Sequence, residues 1–440
     1  MNLISIAEDQ CSTGKLMIHP DILKAIGEIK GQSLVLRFGT NAISINLIPD
    51  DTIAKETCII SSGCAKELHL PLHCQFVLIV DQDELIIGPY IGILAAKTNT
   101  RLKRKVKKLL NYVQHYKQIG GAIIAFSFEG IEHKENHISG YIYNPKEAKW
   151  EWGTFPYPSS FYRKITMKKR WRKHFEKKIG SNFFNYKNLS KWDVHQLLYE
   201  FETLKQYLPT TSLYTGPADV QSRLQKEETV FLKPLSGLKG KNIKEIHKED
   251  NLYTVRYRKG DENHTLNLDE MGISEYLSNS LTSQKYLIQQ KLNLVFQQQR
   301  VTDFRLFVTK DRTGNWKCLG WIGRNGVPKS IVSNRSSGGT VEKGDETLKY
   351  ILRLTDDEVP IWRERIFQLA CEACQCFDKK KMNYGYFAID IGIDVDKKIW
   401  ILEMNHRSPN DALPLYVSDR ELYEQIKLSN MLYLKCLAGF

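Results

Sequence analysis

Two apolar runs near the C-terminus, joined by a polar turn, carry three oxygen-bearing side chains in their interiors. The segment reads YFAIDIGIDVDKKIWILEMNHRSPN, Tyr386 to Asn410, and the residues are Asp390, Glu403 and Asn405. Such groups can be buried only where a partner satisfies them, so this segment limits the possible folds strongly. β-Branched and aromatic residues on both sides of the cluster Asp394 to Lys398 predict a β-hairpin. Centring the loop between Asp396 and Lys397 pairs Asp390 with Glu403 and Ala388 with Asn405. The two-residue period of a strand then places Ile389, Ile391, Ile393, Trp400, Leu402 and Met404 on a core-facing side. Asp390, Glu403 and Asn405 share the other side. Opposed Cβ atoms lie about 5 Å apart, where like charges repel unless a cation intervenes. A hard divalent ion would resolve the conflict, and Mg²⁺ typically takes one or two carboxylates and completes its shell with water and phosphate oxygens. An Arg or Lys neutralising the acids would resolve it equally.

The chain has 440 residues, enough for two or three domains with separate cores. Its hydrophobic content of 42% and charged content of 26% are those of a globular protein rather than a disordered or membrane chain. A formal net charge of +13 favours anionic partners such as nucleotides, phosphates, acidic peptides or nucleic acid. The opening MNLISIAEDQ lacks a basic region followed by a long apolar core, and no later run reaches membrane-span length, so cytoplasmic localisation without membrane insertion is expected. Nine scattered cysteines argue against a disulfide framework. Cys371, Cys374 and Cys376 cluster on a predicted helix without a second CxxC or a His pair, which suits small buried hydrophobes better than a zinc site.

Leu16 to Leu47 and Cys58 to Pro89 share one order of parts: short strand, helical turn, bend, hairpin. This degenerate duplication suggests a separate N-terminal β module resembling a double-psi barrel, although two unrelated units would share the order. Val106, Leu109, Leu110, Val113 and Tyr116 predict one basic helix ending at Gly120-Gly121, followed by the strands GAIIAFSF and HISGYIYN. Phe161 to Gly180 is densely basic, which fits a solvated helix or connector better than a nucleic-acid surface, and nucleic acid is not the expected partner.

From Phe183 onward strands and helices alternate with Gly-rich interruptions. In TVFLKPLSGLKGKNI a strand leads into Lys233, then a loop with Gly237, Lys239, Gly240 and Lys241. Glycines let backbone N–H groups approach phosphate and lysines supply point charges, though an ordinary hairpin turn reads similarly. Asp303 and Arg305 share a strand face opposite Phe304, Leu306 and Val308. Arg324, Asn334, Arg335 and Gly338-Gly339 follow. Arginines beside an acid centre suit a bidentate grip on phosphate or carboxylate, or ion pairing with surface acids.

In this order the pieces resemble the ATP-grasp superfamily: Lys-Pro with a glycine-rich loop, a hinge, DxR, Arg, NxxxGG, then Asp and LExN, over Phe183 to Leu415. Within it the chain looks most like the YheC/YheD-type proteins described as endospore coat-associated, on FFNYKNLSKWDVHQLL, YLPTTSLY, VFLKP, GRNGVPKSIVSNRSSGG and AIDIGIDVDKKIWILEMN. GYIYNPKEAKWEWGTFPYPSSFYR extends the likeness upstream. The resemblance implies an α+β and α/β chain in three units. These are an N-terminal β-rich domain over 1–95, an α/β pre-grasp segment and basic connector over 96–182, and an ATP-grasp domain over 183–440 whose two lobes clasp ATP.

It further implies that Lys191 and Lys233 contact ATP phosphates under a loop through Gly237, Lys239, Gly240 and Lys241. Gln289, Gln290, Lys291 and Leu292 would form the adenine-reading hinge. Asp390, Glu403 and Asn405 would hold one or two Mg²⁺ ions, with Mn²⁺ as the alternative. Arg305, Arg324 and Asn334 would face the transferred phosphoryl or acyl group. The expected activity is ATP- and Mg²⁺-dependent joining of a carboxylate, an acidic peptide or polymer being one candidate, to an amine through an acylphosphate, in a cytoplasmic or spore-associated setting. The alternative is an ATP-binding scaffold of the spore surface with little catalysis. Leu238 stands where the superfamily often has Ser, Asn242 where it has Gly, Gln290 where a hinge Glu is common, and HRSPND replaces a Pro-Gly ending.

Overall fold

Alternate residues are buried along the first strand, Ile4 and Ile6 turning inward while Ser5 and Ala7 face solvent, as a half-covered pleat requires. The computed structural model describes residues 3–10, 14–27, 33–235, 242–260, 262–281, 285–297, 300–327, 338–407 and 409–440. Its first elements are β1 (Ile4–Asp9), β2 (Lys15–Ile18), α1 (Pro20–Ile26), β3 (Ser33–Phe38), β4 (Asn41–Pro49), β5 (Thr57–Ser61), α2 (Ser62–Leu68), β6 (Gln75–Asp81) and β7 (Glu84–Gly88). The strands close into a barrel in the order β1-β5-β2-β4-β3-β7-β6. Each half runs strand, helix, hairpin, the order read from the duplicated sequence.

A second sheet follows, built from β8 (Tyr90–Ala96), β9 (Ala122–Glu132), β10 (His137–Asn144), β11 (Lys149–Pro156), β12 (Ser160–Arg163) and β13 (Phe183–Phe184), in the order β11-β10-β9-β8-β12-β13. The single basic helix expected before β9 is instead α3 (Asn99–Lys105), a 3₁₀ stretch (Val106–Tyr112) and α4 (Tyr116–Ile119). Its apolar residues still bury Val106, Leu109, Val113 and Tyr116. The chain leaves α4 through Gly120 and Gly121, both at φ +70. The basic run contributes α5 (Lys169–Ile179), a helix whose Phe175 is buried under β9 and β12 aromatics while its cations lie outward.

A third sheet, β14-β19-β15-β16-β17-β18, comprises β14 (Thr211–Leu213), β15 (Thr229–Pro234), β16 (Lys244–Glu249), β17 (Leu252–Lys259), β18 (Glu262–Leu268) and β19 (Tyr286–Gln290). It is preceded by α6 (Lys191–Tyr199) and α7 (Glu202–Lys205), and is covered by α8 (Pro217–Leu224) and α9 (Glu270–Ser280). The fourth sheet contains β20 (Phe296–Gln297), β21 (Arg300–Lys310), β22 (Trp316–Asn325), β23 (Thr340–Lys343), β24 (Tyr386–Ile393) and β25 (Ile399–Asn405), ordered β23-β22-β21-β24-β25 with β20 beside β21. The helices α10 (Gly344–Leu352) and α11 (Glu358–Lys379) bury one of its faces. The last helix, α12 (Arg420–Leu437), is wedged between the other face and the second sheet. Each fully buried Leu or Ile along these faces contributes roughly 1.5–3 kcal/mol. Cys374 and Cys376 sit buried on α11, where burial raises both thiols. We propose the limits 95 and 182 as the divisions between units, although β13, just past the second limit, still pairs with β12.

The C-terminal hairpin pairs Asp390 with Glu403, Ala388 with Asn405 and Ile389 with Met404, as expected. Beyond Asp390 the register slips at a bulge, so Ile391 opposes Ile401 and Gly392 opposes Trp400. The core side is therefore Ile389, Ile391, Ile393, Ile399, Ile401 and Met404. Trp400 and Leu402, expected in that core, are displaced because the extra residue in β25 inverts the alternation. Trp400 instead donates through Nε1 to Asp394 at 2.8 Å.

Gly121 sits where β8 and β9 begin, and a Cβ there would lie 1.8 Å from the Pro89 carbonyl oxygen. Gly180 also has positive φ, +62, but meets nothing within 4 Å. Gly121→Ala is expected to lower stability by at least about 2 kcal/mol, and Gly180→Ala by about 1 kcal/mol, as read from urea unfolding midpoints. Equal losses at the two positions would contradict the close approach at Gly121.

Candidate active site

The fourth sheet carries its charge on one face because Phe304, Leu306 and Val308 of β21 take the core side and leave Asp303 and Arg305 on the other. Strand register aligns their partners: Arg305 opposes Asp390, which opposes Glu403, and Asp303 opposes Arg324 of β22. Arg305 donates to both Asp390 oxygens, Nη2 reaching Oδ2 at 2.9 Å. Arg324 donates through Nε and Nη2 to the two Asp303 oxygens at 2.7 Å each, and its Nη2 also lies 3.1 Å from Asp390 Oδ2. These planar, two-pronged pairs are the strong form of charge-assisted hydrogen bond.

Burial alone would raise the Asp390 carboxyl, but the guanidiniums of Arg305 and Arg324 hold it below the ordinary carboxylate value. Burial likewise opposes charge on Arg324, yet Asp303 and Asp390 raise its pKa. The repulsion expected between Asp390 and Glu403 is thus relieved by arginines on Asp390 and by Lys191 on Glu403, with Nζ 3.5 Å from Oε1. Lys191 opens α6, whose start is fixed by a capping box: Ser190 Oγ accepts from Asp193 N at 3.2 Å, and Asp193 accepts from Ser190 N at 2.7 Å.

Lys233, on the third sheet, donates to Gln289 Oε1 at 2.5 Å, and Gln289 donates in turn to Thr211 Oγ1 at 3.0 Å. Burial first, then Lys191, push the Lys233 ammonium down to about 8, against the pull of Glu403, Asp303 and Asp390. Among the described residues the cluster therefore joins two sheets and holds four cations, Lys191, Lys233, Arg305 and Arg324, against three carboxylates, Asp303, Asp390 and Glu403. One positive charge is in excess, held on an amine partly stripped of water, which suits an incoming polyanion.

The structure brings together Lys191, Lys233, Gln289, Arg305, Arg324, Asp390 and Glu403 from the expected set. Gln290 turns aside, its Oε1 accepting from Thr210 N and Oγ1 at 3.1 Å, and Lys291 lies 3.5 Å from Glu245. Leu292 lies where the chain passes from the third sheet to the fourth, a passage tied by Val295 N to Ile393 O at 2.9 Å. Gly237, Lys239, Gly240, Lys241 and Asn334 lie outside the described residues.

No group of three His, Cys, Asp or Glu side chains among the described residues is arranged to hold a metal ion. The expected set has two carboxylates and an amide, and both Asp390 oxygens already face guanidinium groups. Glu403 is different: its side chain is 32% exposed and meets Lys191 at 3.5 Å. The Asn405 amide nitrogen beside it is buried without a hydrogen-bond partner among the described residues. Glu403 thus offers a carboxylate that fits a hard cation shared with phosphate, and the open Asn405 N–H beside it suits an acceptor such as a phosphate oxygen.

His406 escaped the sequence reading. Its Nε2 accepts from Leu189 N at 3.0 Å and its carbonyl accepts from Asn185 Nδ2 at 2.7 Å, tying the end of β25 to the segment that leads into Lys191. Burial first, then Arg163, push its imidazole down to about 4, so it is neutral near pH 7. The substitution of HRSPND for a small-residue ending was its only trace.

A family model described as YheC/D like ATP-grasp matches residues 180–437. The chain belongs to this family. It is 25% identical over 368 residues to the endospore coat-associated protein YheD of Bacillus subtilis (strain 168), covering 80% of each chain. It is 21% identical over 301 residues to YheC of the same organism, covering 66% of this chain and 81% of that protein. Among solved structures, the ATP-grasp ligase PsnB complexed with minimal precursor matches at a TM-score of 0.43 and 13% identity, covering 79% of this chain and 99% of that one. N5-carboxyaminoimidazole ribonucleotide synthetase from Thermotoga maritima matches at 0.43 and 12%, covering 78% and 76%. The third and fourth sheets are the two lobes of the ATP-grasp fold. No helix among the described residues is long and apolar enough to cross a membrane.

Asp390→Asn leaves two buried guanidiniums short of a charge and is expected to cost about 3–5 kcal/mol in urea unfolding. Glu403→Gln, at a half-exposed pair, is expected to change stability by less than about 1 kcal/mol. A large loss at Glu403 would make it a structural residue rather than one held for a ligand.

Proposed function

We propose that the chain is an ATP- and Mg²⁺-dependent carboxylate–amine ligase. The observation that carries this reading is the pair of lysines brought together from two elements, Lys191 Nζ 3.5 Å from Glu403 Oε1 and Lys233 donating to the amide of Gln289 rather than to a carboxylate. Lys191 and Lys233 hold the ATP phosphates, with the segment through Gly237, Lys239, Gly240 and Lys241 covering them. Gln289 to Leu292 line the base. Glu403 and Asn405 hold Mg²⁺, which when bound neutralises phosphate charge and aligns the nucleotide. Asp390 belongs with that pair and is kept ionised by Arg305 and Arg324. Those arginines and Asn334 orient the acid.

The substrate carboxylate oxygen attacks the γ-phosphorus, the bond to the bridging oxygen breaks, and ADP leaves. The amine then attacks the acyl carbon, phosphate departs, and the amine loses a proton to form the amide. Positioning and charge neutralisation do most of the catalytic work, so no Ser, Cys or His nucleophile is needed. The names of the relatives suggest a role linked to the spore coat.

The commitment of Asp303 and Asp390 to arginines favours a second reading, an ATP-binding scaffold without turnover. Purified protein screened with acids and amines separates the two. Glu403→Gln is expected to abolish ADP release at least about 100-fold while leaving the fold intact. Unchanged turnover in this variant would reject the assigned role, and Mg-ATP binding without ADP release across the panel would select the scaffold.

A further inference from the structure

β8, β9, β12 and β13 run parallel, and the chain crosses from β8 to β9 on one side before β12 joins β8 on the other. Open parallel sheets bind ligands outside the carboxyl ends of their strands where the order switches in this way. Lys164 is the first residue past β12, its N–H donating to Leu94 O of β8 at 3.0 Å. Around it gather Tyr112, Asp411, Lys427, Tyr162 and Tyr386. Lys164 Nζ lies 2.6 Å from Tyr112 Oη, which donates to Asp411 Oδ2 at 2.9 Å. Lys164 and Lys427 both pair with Asp411. Among the described residues two ammonium groups here share one carboxylate, leaving a positive charge in excess.

The hydroxyls of Tyr162 and Tyr386 are buried without a hydrogen-bond partner among the described residues. Buried hydroxyls are nearly always paired. After burial itself, Asp411 bears more strongly than any other group on both phenols, and Lys164 Nζ lies 4.9 Å from the Tyr162 ring centre. The side chains of Lys164 and Asp411 are each 17% exposed, so the cluster meets solvent at these two residues while Tyr162, Tyr386 and Lys427 lie buried behind them.

Tyr386, Ala388 and Asp390 alternate along one face of β24. Tyr386 is four positions from Asp390, about 13 Å at the rise of a strand. We propose that Lys164, Lys427, Tyr162 and Tyr386 anchor a second carboxylate of the acid substrate, an acidic peptide whose reacting carboxyl lies about four extended residues away at Arg305 and Arg324. The proposal rests on the ligase reading above. Its chemistry is that of an acceptor-only anion entering a net-positive pocket with two unused donors.

The test uses the full-length protein with Mg-ADP and compares tetraglutamate with tetraglutamine by calorimetry. Wild type is expected to bind tetraglutamate at least about tenfold more tightly, and Lys164→Gln and Tyr386→Phe each to lose at least about fivefold of that affinity. Tyr386→Phe removes a hydroxyl without a described partner, so its Tm is expected to stay at or above wild type, which a purely structural role would not allow. Equal binding of the two peptides by wild type, or undiminished tetraglutamate affinity in both variants, overturns the anchor. ADP affinity is measured separately. Its absence from wild type overturns the ligase reading, and the peptide comparison alone then decides the anchor.

Discussion

Two guanidinium groups hold Asp390 in place, and the geometry of the site follows from that pairing. A carboxylate with 5% of its residue surface exposed can stay ionised only if its charge is met, and Arg305 and Arg324 meet it from adjacent strands. The same contacts fix β21 against β22 and β24, because each arginine occupies the register position opposite an acid. With Asp390 satisfied internally, Glu403 is left with a partly exposed carboxylate that Lys191 meets at 3.5 Å.

The hairpin was legible because strand alternation is a two-residue code and its polar exceptions stood out. Asp390, Glu403 and their pairing followed from the turn position alone. The misassignment of Trp400 and Leu402 has a specific cause, since a bulge leaves no mark in side-chain pattern until the partner strand is known. Apolar residues at helical spacing suggested one basic helix before β9, but the chain breaks into three pieces that pack against β8, β9 and α12, a tertiary effect that local propensity does not encode. Lys233 was marked by its place at a strand end before a glycine-rich loop, Lys191 by resemblance alone. The structure adds the reason they differ: one faces a carboxylate and the other an amide.

What the sequence did not reveal lies mostly between units. Asn185, His406 and Lys164 are distant in sequence from the residues they serve, and each acts through a backbone group or a charge supplied by another sheet. Asn185 illustrates this: its Oδ1 lies within 3.4 Å of the N–H groups of Gly385 and Tyr386, and its Nδ2 donates to the carbonyl of His406, so one amide fixes the start of β24 and the end of β25. The helix α12 performs a similar task on a larger scale, filling the space between the second and fourth sheets, with Ser160 Oγ donating to Leu434 O at 2.7 Å. Tyr386 of the lysine-tyrosine cluster and Asp390 of the acid row stand four residues apart on one face of β24.

Among the described residues, the lobe junction carries one more cation than carboxylate, an arrangement suited to a polyanion. Burial and Lys191 push the Lys233 ammonium down to about 8, and an anion beside it favours the protonated form, so nucleotide binding above that pH is expected to draw a proton from solvent. Affinity is then full below about pH 8 and declines as pH rises through it. The direct measurement is calorimetry of Mg-ATP binding at pH 8.5 in buffers of different ionisation heat. The account predicts uptake of roughly 0.5 to 1 proton per nucleotide in wild type and none in Lys233→Met. Binding without proton uptake, or equal uptake in the variant, would contradict it.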